Sequence, residues 1–264
     1  MIIATSVFGF MKRQFSRLLH RFLDDRVVPI LSGPLQGYLW LPRSGNHAYW
    51  IGFYEQDYVR EFAKIITPGS TVFDIGAQAG YFSLIASRLS GESGQVFSFE
   101  PLPENAEFIR SHCQLNQVEN IKLFESALGF LRARRQFKRQ NLFMGHLAKK
   151  PDVLPENQSD SDYFDVDVLV LDELWEQQEI SAPDVIKIDV EGMEYWVLKG
   201  GEKLIRENCP RLFVATHGAS NQERTLKLLD AWNYQVTMIG EGTSRNADYL
   251  ALPRDSQNRE QKLV

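Results

Sequence analysis

Asp74-Ile75-Gly76-Ala77-Gln78-Ala79-Gly80 is the stretch that decides the fold. A short apolar run, Thr71-Val72-Phe73, precedes it, and Tyr81-Phe82-Ser83-Leu84-Ile85-Ala86 follows. That order reads as a strand, a tight glycine turn and a helix, which brings bare backbone up to a nucleotide-like ligand. Twenty residues after Gly80 comes Glu100, at the end of a second apolar run, Val96-Phe97-Ser98-Phe99. An acid there can accept hydrogen bonds from both hydroxyls of a ribose, so the pair of runs points to an adenosine-containing ligand. The two glycines are spaced Gly-x-x-x-Gly, not Gly-x-Gly-x-x-Gly as in dinucleotide-binding folds. Asp74, at the strand end, is placed to brace the loop or to meet an ammonium group of the ligand.

Outward from this turn the chain alternates strand and helix. Strands are expected near 71–75, 96–100, 121–125, 185–189, 211–216, 234–239 and 247–252, and helices near 80–89, 103–115, 193–206 and 221–231. Such alternation with short links predicts a parallel, doubly wound α/β sheet with helices on both faces. Only Gly240-Glu241-Gly242-Thr243-Ser244 separates the last two strands, too short for a parallel crossover, so they should close the sheet as an antiparallel hairpin.

Residues 130–172 interrupt the pattern. Arg132, Arg134, Arg135, Lys138 and Arg139 form a basic cluster, followed by a polar stretch at 156–162 and a strand-like run, Phe164 to Val170. This reads as an insertion over the ligand end of the sheet. Before the main domain (53–254) lies an N-terminal extension, 1–52, and after it a polar tail, 255–264. Within the extension, residues 11–23 read as a basic amphipathic helix suited to peripheral membrane contact or to packing on the body. Residues 55–66 read as a further helix.

Composition narrows the class. Of 264 residues, 44 % are hydrophobic and 24 % charged, ordinary for a globular protein, and the net charge of −5 argues against non-specific nucleic-acid binding. The two cysteines, Cys113 and Cys209, have no metal-ligand spacing and make no disulfide framework. No metal is expected. No stretch reaches the roughly 18–20 apolar residues needed to span a bilayer, and a cytoplasmic location is expected.

The second chemical constellation is Lys187-Ile188-Asp189-Val190-Glu191-Gly192-Met193-Glu194. Asp189 falls at the carboxyl end of a strand, where open α/β sheets bind ligands. Glu191 lies two residues on, Gly192 permits a sharp entry into a helix, and Glu194 favours that helix's N-terminus electrostatically.

Counted from Asp74, the first motif is Asp-x-Gly-x-Gln-x-Gly. With VFDIGAQAGYFSLIASRL, GQVFSFEPLPEN, IKLFESALG, VDVLVLDEL and especially VIKIDVEGMEYWVLKGG, it resembles the FkbM family of S-adenosylmethionine-dependent methyltransferases. The resemblance covers roughly residues 33–240. Two departures stand out. Gln78 occupies a position where the family usually has Asn, and Ala215-Thr216-His217 stands where it often has Glu-x-His.

The resemblance implies a Rossmann-like class I fold, a seven-stranded sheet whose last strand is antiparallel. It also implies S-adenosylmethionine as cofactor. Asp74, Gly76, Ala77 and Gly80 would line its methionine part, Glu100 would hold the ribose, and Ser126 and Ala127 would border the adenine. Asp189 would face the amino-acid end and the sulfonium, and Tyr54 and Glu55 would close the pocket from the N-terminal side. The expected reaction is O-methylation of a saccharide, glycolipid or secondary metabolite, with Glu191 as first candidate base, His217 as second and Asp189 as a positioning group. Acceptors are expected to be small molecules or glycans rather than nucleic acids. The competing readings are an NAD-dependent oxidoreductase, which Glu100 suits but the glycine spacing does not, and a catalytically silent S-adenosylmethionine-binding protein.

Overall fold

The computed structural model of the chain describes residues 23, 26–139, 145–147, 163–243 and 245–254. The helix expected over 11–23 (but for Leu23), the polar stretch 156–162 and the tail 255–264 lie outside the described residues. In chain order come two short antiparallel strands, β1 (Val28–Pro29) and β2 (Leu39–Trp40), then helices α1 (Ala48–Ile51) and α2 (Gln56–Ile65). Strand and helix then alternate through β3 (Thr71–Ile75), α3 (Tyr81–Ser90), β4 (Gln95–Phe99), α4 (Pro103–Asn116) and β5 (Ile121–Phe124). After β5 comes β6 (Ala127–Leu128), and the insertion supplies β7 (Ala133–Arg139), β8 (Gly145–Leu147) and β9 (Tyr163–Leu169). The chain resumes with α5 (Leu171–Glu176), β10 (Val185–Ile188), α6 (Glu194–Gly200) and α7 (Glu202–Asn208). It closes with β11 (Arg211–His217), α8 (Ala219–Ala231), β12 (Tyr234–Ile239) and β13 (Asn246–Pro253).

Seven strands form the main sheet in the order β12-β13-β11-β10-β3-β4-β5. The pairs from β11 through β10, β3 and β4 to β5 are parallel, while β13 runs antiparallel to both β11 and β12. The fold is thus the Rossmann-like class I methyltransferase architecture, and the C-terminal hairpin follows from the short link before β13. Among the described residues, the strands of the insertion join β6 in a separate four-stranded sheet, β6-β9-β7-β8.

Alternation along the central strands sorts two cores. Val72, Val96, Val185 and Phe213 face α2, α3 and the N-terminal strands, meeting Phe62, Phe82, Leu84 and Ile85. Phe73, Ile75, Phe97, Phe99, Ile186, Ile188, Leu212 and Val214 face α6, α7 and α8 through Val197, Leu198, Leu204, Ile205 and Leu229. Burial on both faces explains why these strands read as continuous apolar runs. Each fully buried Phe contributes about 1.5–3 kcal/mol of transfer free energy.

The sequence pattern and the structure differ at the expected helix 193–206. It is two helices, broken at Gly200-Gly201. A Cβ at Gly200 would stand 2.0 Å from the Gly129 carbonyl oxygen, so the chain leaving β6 crosses directly over this point. Within the extension, residues 26–52 pack into the body, because Ile30, Leu35, Trp40 and Tyr49 belong to the same core as α2 and α3.

Candidate active site

The glycine turn rests on a buried polar stack. Asp74 is fully buried and accepts from Ser83 Oγ at 2.6 Å and from Lys187 Nζ at 3.1 Å. Ser98 Oγ in turn donates to Ser83 Oγ at 2.8 Å. Lys187, 3 % exposed, also donates to the Gly76 carbonyl at 3.3 Å. Burial alone would lower the lysine's pKa, but Asp74 and Asp189 outweigh it and hold the ammonium charged. The register dictates this pairing, since Lys187 on β10 lies beside Asp74 on β3. Asp74 therefore braces the loop, and its ammonium partner is Lys187.

Both motif glycines have positive φ, +80° at Gly76 and +88° at Gly80. A Cβ at Gly76 would stand 1.9 Å from the Asp189 carbonyl oxygen, and one at Gly80 would stand 3.1 Å from Ile109 Cγ1. Gly76 thus lets the turn meet the loop after β10, and Gly80 lets α3 pack on α4. Between them Gln78 takes φ +49°, a left-handed conformation that Asn and Gly adopt most readily. Its amide donates to Glu100 Oε2 at 2.8 Å, and Tyr49 Oη donates to its side-chain oxygen.

Along this turn runs a cavity of about 200 Å³ at the carboxyl ends of β3, β4 and β10. At one end it meets Ser126, Ala127, Leu128, Asn105 and Phe137, at the middle Glu100, and at the other Tyr54, Lys187, Asp189 and Glu191. Gly76 and Ala77 line its floor, whereas Asp74, Gly80, Glu55 and His217 stand outside the lining. Glu100 is 5 % exposed and accepts from the Leu102 amide (2.9 Å), Asn105 Nδ2 (3.2 Å) and the Gln78 amide. Burial pushes its carboxyl up to about 7, against the pull of those three donors. The Ser126 hydroxyl is buried in the lining without a hydrogen-bond partner among the described residues. An acid at the middle and an unpartnered hydroxyl at one end suit a nucleoside, and the acidic far end suits a cation.

That far end is organised by Glu194. It is fully buried; Oε1 accepts from the amides of Gly192 (3.0 Å) and Val190 (3.3 Å) and from His217 Nδ1 (2.9 Å), and Oε2 accepts from Asn221 Nδ2. Glu194 thus ties the loop after β10 to β11 and α8. His217 Nε2 then lies 3.8 Å from Asp189 Oδ1. Burial would lower the His217 pKa, but Glu194, Asp189 and Glu191 overcome it and push it up to about 9. Held by these carboxylates, the ring favours the imidazolium form, which suits ordering of Asp189 and Glu194. Glu191 lines the cavity at φ +51°, a backbone strain that concentrates at functional sites. Burial raises its pKa first, His217 opposes, and Asp189 and Glu194 add to the rise. Glu55, in a left-handed conformation with φ +39°, is pushed up to about 7 by desolvation.

Aromatic side chains close the cavity from the N-terminal side. Tyr49 packs on Tyr54 and Tyr81 at 4.2 and 4.9 Å between ring centroids. From the insertion, Phe137 is buried against the cavity, while the basic side chains around it face outward, Arg132 pairing with Glu173 and Arg134 with Asp165. The sequence reading missed Lys187, Asn105, Tyr49, Tyr81 and Phe137. For Lys187 a signal existed: a lysine inside the run Val185-Ile186-Lys187-Ile188 demands a buried acid on a neighbouring strand. Among the described residues there is no group of side chains arranged to hold a metal ion, and no helix is long and apolar enough to cross a membrane.

Comparisons with known proteins accord with this geometry. Over a short segment the chain is 36 % identical to ribosomal RNA large subunit methyltransferase E of Neisseria gonorrhoeae (strain NCCP11945), across 74 residues, 26 % of this chain and 35 % of that protein. It is 32 % identical to protein-L-isoaspartate O-methyltransferase of Methanococcoides burtonii across 56 residues, 21 % of this chain and 28 % of that one. The chain therefore spans about a third of the length of these curated relatives. Among solved structures, the methyltransferase FkbM of Methylobacillus flagellatus KT aligns at 16 % identity with a TM-score of 0.48, covering 79 % of this chain and 56 % of that one. The model of the FkbM methyltransferase domain matches residues 74–236, from the acid of the glycine turn into β12. Since that match takes in more than half of the chain, the protein belongs to the FkbM family of S-adenosylmethionine-dependent methyltransferases.

Proposed function

We propose that the enzyme methylates a hydroxyl group of a saccharide, glycolipid or secondary metabolite, with Glu191 as the base. The observation that carries this reading is Glu191 itself, a carboxylate in the cavity wall with no hydrogen-bond donor among the described residues, whose proton affinity is raised by burial and by Asp189 and Glu194. When bound, S-adenosylmethionine supplies an electrophilic methyl group on a sulfonium.

The chain's own residues do the rest. Ser126 and Ala127 border the adenine, Glu100 accepts from the ribose hydroxyls, and Gly76 and Ala77 floor the amino-acid part. Asp74 and Gly80 act on the shape of the turn, and Glu55 guards its N-terminal side. Asp189 faces the cationic end and positions it. Glu191 draws the acceptor hydroxyl into line and takes its proton, and alignment of this kind can supply much of the rate. Tyr49, Tyr54 and Tyr81 exclude water from that end. The net charge of −5 and the aromatic walls favour a small-molecule or glycan acceptor over nucleic acid.

Transfer of labelled methyl groups to a panel of glycans and metabolite extracts tests the reading. Glu191→Gln should lower kcat by about 10²–10⁴-fold, while the affinity for S-adenosylhomocysteine stays as in the wild type. Unchanged turnover in that variant, or label carried only by RNA or protein, would overturn it.

A further inference from the structure

Beside the cavity mouth, on the side of the sheet that carries α6 and α8, aromatic side chains lie open to solvent. The helix α6 starts at the loop after β10, whose Asp189, Glu191 and Met193 line the cavity. The Trp196 amide donates to the Met193 carbonyl at 2.9 Å, so Trp196 stands about one helical turn beyond a lining residue. Side chains on a helix tilt towards its N-terminus, which leans Trp196 towards that loop. Phe130 reaches the same place from β6, two residues after Leu128 of the cavity wall. Its ring lies 6.2 Å from that of Trp196, and Tyr195 meets Trp196 edge-on at 5.0 Å. Trp196 is 38 % exposed, Phe130 45 % and Leu131 68 %.

Arg224, on the second turn of α8, completes the platform. Its guanidinium carbon lies 5.3 Å from the Tyr195 ring centroid and 6.0 Å from that of Trp196. Nε donates to the Ser220 carbonyl at 3.3 Å, and no carboxylate among the described residues pairs with the guanidinium. Other basic side chains of this region are committed: Arg132 to Glu173, Arg134 to Asp165 and Lys227 to Glu223. The platform thus joins apolar ring faces to one guanidinium whose Nη groups bond to no described residue. Three exposed apolar side chains are too few for a protein interface, which takes about 20–30 residues a side. A membrane surface or an RNA strand would call for a run of free cations, and the platform offers one.

We propose that this platform is an acceptor subsite for an acidic saccharide, with a sugar ring lying on Trp196 and Phe130 and its carboxylate on Arg224. A pyranose turns a face of C–H groups to such rings, and the contact rests on dispersion and apolar burial. A carboxylate takes two parallel bonds from a guanidinium, and its single charge matches the single cation. Stacking on Tyr195 and Trp196 already orients the guanidinium, so little side-chain freedom is lost on binding. A hydroxyl on a neighbouring sugar would extend past Met193 to Glu191. The role as acceptor rests on the reading of Glu191 as the base of an O-methyltransferase, whereas the platform's affinity for the sugar does not.

Calorimetric titrations of the full chain saturated with S-adenosylhomocysteine test this, using wild type, Trp196→Ala and Arg224→Gln. The probes are oligogalacturonate and oligoglucuronate, their methyl esters, a uridine oligonucleotide and phosphatidylglycerol vesicles. Wild type should bind an acidic oligosaccharide about tenfold or more tightly than its ester. Arg224→Gln should erase that difference, and Trp196→Ala should weaken acid and ester alike by about tenfold. Both variants should keep wild-type affinity for S-adenosylhomocysteine. The proposal falls if wild type binds acid and ester equally or binds neither, or if either variant binds the acids as wild type does. It falls also if only the oligonucleotide or the vesicles bind at these residues. Transfer of labelled methyl groups to the oligosaccharides, followed alongside, keeps the two readings apart. Acidic sugar bound without a methylated product keeps the platform as a saccharide site and removes O-methylation. A neutral acceptor methylated equally by wild type and both variants does the reverse.

Discussion

His217 takes its charge state from Glu194, whose fully buried carboxylate accepts from the ring and from two loop amides at once. Its folded pKa of about 9 stands above the ordinary value of 6.5. The stability this supplies, on the order of 2–3 kcal/mol, is complete below pH 6.5 and is lost as the pH rises through 9. Urea unfolding across that range should show a decline for wild type that is nearly absent in His217→Gln. Equal slopes for the two proteins would remove the imidazolium from the account. Residues of this kind differ in how legible they are. Asp189 and Glu191 could be read from the sequence because acids at the carboxyl end of an apolar strand have few other uses. Lys187 signalled a buried acid but not which one, because that partner lies across the sheet, at Asp74 on β3. Gln78 looked anomalous in the sequence; the structure gives it a left-handed turn and a bond from Tyr49.

At the scale of elements, the N-terminal segment is fastened to α4 by side chains that imitate strand pairing. Asn116 accepts from the Leu39 amide at 2.7 Å and donates to the Leu39 carbonyl at 2.9 Å. One step on, His112 Nε2 accepts from the Leu41 amide at 3.1 Å, and its ring stacks on Trp40 at 3.8 Å. Burial lowers the His112 pKa to about 4, which keeps that nitrogen free to accept. Its contribution is present above pH 6.5 and is lost as the pH falls through 4. Asn116→Ala should therefore speed hydrogen exchange at the Leu39 amide roughly three- to tenfold, the loss of about one neutral hydrogen bond. Exchange unchanged there would mean that the apolar contacts of Ile30, Leu35 and Trp40 hold the segment alone. The strands and most helices were legible from apolar runs and glycine turns. The break between α6 and α7 was not, since only the crossing chain at Gly129 shows why Gly200 must be bare.

Across the whole molecule, the sheet order places the glycine turn, Glu100 and the loop after β10 along one cavity, while the N-terminal aromatics and Phe137 of the insertion wall it in. The alternation of strands and the short final link were enough to foresee that sheet. The walls were not foreseeable, because Tyr49, Tyr81 and Phe137 reach the cavity from elements far apart in sequence. The central claim is that this cavity holds the nucleoside of the methyl donor on Glu100. Calorimetric titration of S-adenosylhomocysteine into wild type and Glu100→Gln, with thermal unfolding as a control for the fold, tests it directly. Saturable binding to wild type is expected, with an affinity about tenfold to a hundredfold weaker in the variant, from the loss of a carboxyl acceptor for the ribose. Equal affinity in the two proteins, or no binding to wild type, would contradict it.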